Sequence, residues 1–252
     1  MTYTIIGTGN MAWFIAHRLH AAGMVCRGIH GKNHQHAIQL AALVSAPVID
    51  DVASIKDDHD CCIIAVSDHA IPEVAEKLTL KKTTVIHTAG AVPLDAIPCA
   101  NRSVLWFIYS ILKNNLPDHR NIPAIIEGST EHAVETTKQI AKAISDVIHE
   151  VDGQQRQWMH ITAVFGNNFI NHLMTICEQL CKEQNLPFSL LLPILEQTLD
   201  RVKMLSPGDI QTGPAKRGDI VTIRKQLSLL ASHPHLAEIY KSISSSIEDL
   251  YN

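Results

Sequence analysis

The residues that decide the fold are Thr4-Ile5-Ile6-Gly7-Thr8-Gly9-Asn10-Met11-Ala12. A short apolar run passes into a G-x-G-x-x-A turn. Apolar residues Met11, Phe14, Ile15 and Leu19 then recur at helical spacing until Gly23 ends the helix. A glycine turn between the first strand and the first helix is the start of a βαβ unit that can hold a dinucleotide. Gly7 permits the tight turn. Gly9, lacking a side chain, lets a pyrophosphate approach the backbone, and Ala12 lets the helix pack close on the sheet. The N–H groups of Thr8, Gly9, Asn10 and Met11 are then expected to face phosphate oxygens.

Outward from this turn, strand and helix patterns alternate. Strands are expected at 24–29, 47–49, 61–66 and 84–87, and helices at 34–44 and 70–78. Cys61-Cys62-Ile63-Ile64-Ala65-Val66 is continuously apolar, as a parallel strand covered on both faces requires. Further strands are expected at 104–111, 124–126 and 147–151, with an amphipathic helix at 130–145. After Asp152-Gly153 the strand signal ends. Helical patterns follow at 155–184, 189–205, 219–231 and 235–250, with Asp219 as the N-cap of the third. The expected class is α/β: a doubly wound, mostly parallel Rossmann sheet over residues 1–151, then an all-helical domain over 152–252 for substrate and dimer contacts.

The second strand ends Gly28-Ile29-His30-Gly31-Lys32 with no acidic residue to take a ribose 2′-hydroxyl. His30 and Lys32 suit a 2′-phosphate instead, which favours NADP over NAD. Val66 and Ser67 end the 61–66 strand, and His87-Thr88-Ala89-Gly90 follow the 84–87 strand, at the carboxyl edge where cofactors sit. Val66, Ser67, Thr88 and Gly90 are therefore cofactor candidates, and His87 is an acid–base candidate.

The bulk numbers are those of a water-soluble chain. Of 252 residues, 46% are hydrophobic and 18% charged, with a net charge of −4. No Lys/Arg-rich block points to nucleic acid, and no apolar run is long enough to span a membrane. Neither a secretion signal nor a CxxC pair is visible, so the six cysteines are expected to be reduced thiols in a cytoplasmic protein, and no metal site is expected.

GTGNMA at 7–12, AVSDHAI at 65–71 and HTAG at 87–90 resemble the superfamily of pyrroline-5-carboxylate reductase and deazaflavin-dependent NADP oxidoreductase. AVFGNNF at 163–169 and QTGPAKRGD at 211–219 resemble a group that joins a Rossmann-like domain to a helical C-terminal domain of unknown function. The resemblance implies an NADP-dependent oxidoreductase. Related hydroxyacid dehydrogenases carry a lysine one turn before an asparagine on the long helix. Here that asparagine would be Asn168 and the lysine position is Val164.

Asn168 sits in a polar stripe with His160, Asn167, Asn171 and His172, suited to orienting a polar substrate. Arg217 suits a carboxylate or phosphate by paired hydrogen bonds. Asn168 and Arg217 join His87 as catalytic candidates for hydride transfer to a small polar carbonyl or imine. The alternative is an NADP-binding sensor without catalysis. Apolar stripes in the last four helices exceed what they can bury among themselves, so a homodimer through residues 155–250 is expected.

Overall fold

The computed structural model describes residues 1–251. Seven strands form one sheet: β1 (Thr2–Ile6), β2 (Val25–His30), β3 (Cys61–Ile64), β4 (Thr84–His87), β5 (Arg102–Phe107), β6 (Ala124–Gly128) and β7 (Ile148–Glu150). Their order is β2-β1-β3-β4-β5-β6-β7. β1 to β5 run parallel, β6 runs antiparallel to β5, and β7 is parallel to β6. The connections leave β1 in opposite directions, toward β2 on one side and β3 on the other. That reversal opens a crevice at the carboxyl ends of β1 and β3.

Helices α1 (Asn10–Ala21), α2 (His34–Leu43), α3 (Ile71–Glu76) and α4 (Glu131–Ile144) cover the sheet. Two large apolar cores result, one on each face, and a smaller cluster joins Val104, Trp106 and Ile125. Cys61 and Ile63 point into the core that holds Phe14, Leu40, Phe107 and Ile140, while Cys62 and Ile64 point into the core that holds Ile71, Leu78 and Ile97. This double burial is why β3 carries no polar alternation. Phe14 of α1 meets Phe107 of β5 edge to face at 5.5 Å between centroids.

The segment Pro47–Ile49 is not a strand of the sheet. It makes one bridge, Val48 to Ile29, and its backbone alternates hydrogen bonds with β2 only at that point. With so short a run, one bridge is all that the chain between α2 and the next turn can form.

After β7 the chain enters α5 (Gly153–Ala163), opened by a reciprocal capping box between Asp152 and Gln155. Residues Val164–Phe169 then form a π-helical segment, and α6 (Ile170–Glu183) resumes the α geometry. The long helix expected from 155 to 184 is thus present, with a π-helical segment in its middle.

Two compact units emerge, Met1–Asn171 and His172 onward. The second contains most of α6, then α7 (Leu192–Met204), α8 (Pro207–Ile210), α9 (Ile220–Leu229) and α10 (Pro234–Tyr251). Asp219 caps α9 by accepting from the Thr222 N–H at 3.0 Å. His233 lies 2.9 Å from Glu183, and the Lys216 ammonium stands 4.8 Å from the centre of the Tyr251 ring. Among the described residues of this unit, Ala215 alone is buried. No described helix is long and apolar enough to cross a membrane.

Candidate functional site

The crevice at β1 and β3 is a cavity of about 560 Å³, lined among others by Gly7, Thr8, Gly9, Asn10, Met11, His30, Lys32, Val66 and Ser67. Gly7 has φ +126°, and a Cβ there would lie 2.1 Å from the Ala65 carbonyl oxygen. Strand β3 therefore passes too close for any side chain. Gly9 is the opposite case: a Cβ there would meet nothing within 4 Å. The space it leaves open adjoins the start of α1. That start has no acidic residue in its first turn and no side-chain cap, so its N–H groups are free for an anion. Ala12 is buried in the core, which lets α1 lie close on the sheet.

At the far wall, His30 Nδ1 bonds the Ile49 carbonyl at 2.9 Å, which fixes the ring's orientation. Lys32 and Lys77 both line this end, and Lys77 is paired with Glu73 at 2.8 Å. Two lysines against one carboxylate leave a positive charge where a 2′-phosphate would sit. The residues present fit a phosphorylated dinucleotide.

A second cavity, of about 600 Å³, lies at the carboxyl end of β5. Its walls are Trp106–Ser110 on one side and His160, Ala163, Val164, Asn167 and Asn168 on the other. The π segment accounts for the second wall. Its wider turns rotate less per residue than α turns, so both successive asparagines face the cavity. Of the polar stripe expected on this helix, His160, Asn167 and Asn168 line the cavity, whereas Asn171 and His172 do not. The Asn10 side chain, at the first cavity, accepts through Oδ1 the N–H of Lys113 at 3.2 Å, in the loop that follows β5.

Below the second cavity lies a buried ion pair not anticipated from the sequence. The Arg156 side chain is fully buried. Its Nε donates to Glu127 Oε2 at 2.7 Å, and its Nη1 donates to the Gly90 carbonyl. Nη2 has no hydrogen-bond partner. This arginine ties the start of α5 to β6 and to the loop after β4. Gly90 is pressed so closely that a Cβ would stand 2.6 Å from the His160 ring and 2.7 Å from the Trp106 ring. His160 and Trp106 themselves pack at 5.4 Å between centroids.

His87 sits beside this arginine. Its side chain is fully buried, and Nδ1 accepts the Ala89 N–H at 3.3 Å. Burial first, and the Arg156 charge second, lower its pKa to about 4. The ring is therefore neutral at physiological pH and lines neither cavity, so the acid–base role expected for it has no direct route to a substrate. Thr88 is half-buried and Gly90 buried in the same loop, behind the Trp106–His160 contact. Arg217 is exposed and belongs to the helical unit.

Residues 2–90 match the family described as NADP oxidoreductase, coenzyme F420-dependent, and residues 122–247 match the DUF2520 domain of unknown function. A Bacteroides fragilis protein assigned as an NADP oxidoreductase is 30% identical, with a TM-score of 0.88 over 98% of each chain. The chain is a member of the NADP oxidoreductase family that carries the DUF2520 domain. NADP is the cofactor of this DUF2520 oxidoreductase. Its fold is shared at lower identity by an imine reductase from Myxococcus stipitatus in complex with NADP⁺, 14% identical with a TM-score of 0.66, covering 100% of this chain and 93% of that one. It is also shared by a pyrroline-5-carboxylate reductase from Streptococcus pyogenes, 14% identical with a TM-score of 0.62, covering 99% and 98%. No curated protein matches the DUF2520 oxidoreductase.

Proposed function

We propose that the protein reduces a small polar carbonyl or imine with NADPH, the substrate occupying the cavity between Trp106 and Asn168. The observation that carries this reading is a pair of cavities at the carboxyl ends of strands of one sheet, one with a glycine turn and lysines suited to phosphates and one walled by amides, an imidazole and aromatic rings. Bound NADPH supplies a hydride. Gly7 to Met11 hold the pyrophosphate, and Lys32 with His30 receives the 2′-phosphate. The amides of Asn167 and Asn168 orient the substrate's polar atoms. Arg156 and His87 act from beneath, holding the 87–90 loop and α5 in register. Arg217, on the loop before α9, remains a candidate for a substrate carboxylate or phosphate.

Val164 lines the cavity where a lysine would serve hydroxyacid chemistry, and none of the cavity's walls carries a lysine. An imine substrate does not need one, and structurally similar imine and pyrroline-5-carboxylate reductases make cyclic imines the first compounds to try. The test is a panel of cyclic imines and small oxo acids, followed by NADPH absorbance. Turnover of a panel member is expected. Tight NADPH binding with no turnover of any would favour the sensor reading.

We further propose a homodimer built through the helical unit. Met204, Leu229 and Leu250 are 83%, 81% and 74% exposed there, and a five-helix unit with one buried residue has no core of its own. Its apolar groove of about 310 Å³, between α6 and α10, fits a helix from a second copy. Light scattering at micromolar concentration should give twice the chain mass. A monomer would refute the dimer.

A further inference from the structure

We propose that Tyr109 is the proton donor of the reduction and that His119 reprotonates it, a proposal that rests on reading the Trp106–Asn168 cavity as the substrate pocket. Reducing a C=O or C=N bond takes a proton as well as a hydride, so a wall of that cavity must supply an acid. The side chains there with an exchangeable proton are Trp106, Tyr109, Ser110, His160, Asn167 and Asn168. Indole, amide and aliphatic hydroxyl protons are poorly acidic. His160 is wedged between Trp106 and Gly90. Tyr109 is the phenol, and it alone of the six lies within hydrogen-bond distance of a second ionisable side chain outside the cavity.

The Tyr109 hydroxyl lies 3.4 Å from His119 Nε2, with the rings edge to face at 5.7 Å. Tyr109 is 43% exposed and His119 is exposed, so the pair leads from the cavity wall to water. The histidine is held in place by its backbone. Arg18 of α1 donates to three consecutive carbonyls: Pro117 at 2.5 Å, Asp118 at 3.2 Å and His119 at 2.6 Å. Three charge-assisted bonds from one guanidinium fix a segment that would otherwise be loose. The same helix presents its N-terminus to the phosphates, so the cofactor pocket and the proton path share one rigid element.

The step balances. The substrate carbon takes the hydride, and the π pair of the C=X bond moves to X. X takes the proton of the Tyr109 O–H, whose bonding pair stays on the phenolate oxygen. The imidazolium of His119 returns a proton from Nε2 to that oxygen and regains one from water. One hydride and one proton are consumed for each C=X bond reduced.

The test uses the full-length protein with NADPH and a panel compound that it reduces. Tyr109→Phe should lower kcat about 100-fold or more, the range for loss of a positioned acid, with KM and NADPH affinity nearly unchanged. His119→Ala should lower kcat about ten-fold, and imidazole added to the buffer should restore it. In protein labelled at tyrosine Cζ, the Tyr109 resonance should move in His119→Ala, a readout that needs no turnover. Full kcat in Tyr109→Phe, absence of imidazole rescue, or an unmoved Cζ resonance would each overturn the proposal. Wild-type protein inactive on every compound would instead sink the reductase reading beneath it.

Discussion

Arg156 Nε and Glu127 Oε2 lie 2.7 Å apart, with the arginine fully buried and the carboxylate nearly so. The pair fastens the helix that carries the amide wall to the strand beneath it. Removing one partner leaves an uncompensated charge in the core. Arg156→Met should therefore cost about 3–5 kcal/mol of stability, and adding Glu127→Gln should recover part of that loss. Urea unfolding of the single and double variants measures both. Equal stability of wild type and Arg156→Met would show that the pair contributes little.

Gly7 and Gly9 share one motif but should fail differently. At Gly7 a Cβ would overlap the Ala65 carbonyl, and φ is +126°. Gly7→Ala should lower Tm by several degrees or leave the protein insoluble. At Gly9 the same atom meets open space, so Gly9→Val should keep Tm within about a degree of wild type while weakening NADPH at least about ten-fold. Thermal melts with and without NADPH separate the two effects.

Lys32 is exposed and tests cofactor choice. Lys32→Ala should weaken NADPH roughly ten-fold, about 1.4 kcal/mol, and leave NADH unchanged. The difference should shrink in high salt, since an exposed charge is screened. Fluorescence titration with both cofactors at two ionic strengths checks this.

His87 gives the fold a pH dependence with a definite sign. Its folded pKa, about 4, lies below the usual value near 6.5. Between these values the unfolded chain binds more protons, so stability falls as pH falls through that window. The loss from this residue should be about 2 kcal/mol between roughly pH 7.5 and pH 5. His87→Gln should flatten that slope in urea unfolding. An unchanged slope would mean that the ring is not held neutral.

How much of this could be read beforehand follows from what each feature needs. The β1–α1 turn and β3 were legible because their signals are local: glycines at fixed offsets, and a run apolar on both faces. The π segment was not, since VFGNNF satisfies an i→i+4 or an i→i+5 ladder equally well over six residues. Arg156 was hidden for a different reason. It sits among glutamines in a polar stretch, and its partner Glu127 is 29 residues earlier on a strand, so only the three-dimensional packing reveals a buried charge. The same holds for Tyr109 and His119, which the nine intervening residues bring together.

Equilibrium titration of the wild-type protein with NADPH and with NADH bears most directly on the account. The expected result is saturable NADPH binding with a Kd in the micromolar range, at least about ten-fold tighter than NADH. No fluorescence change with either cofactor at millimolar concentration would contradict it.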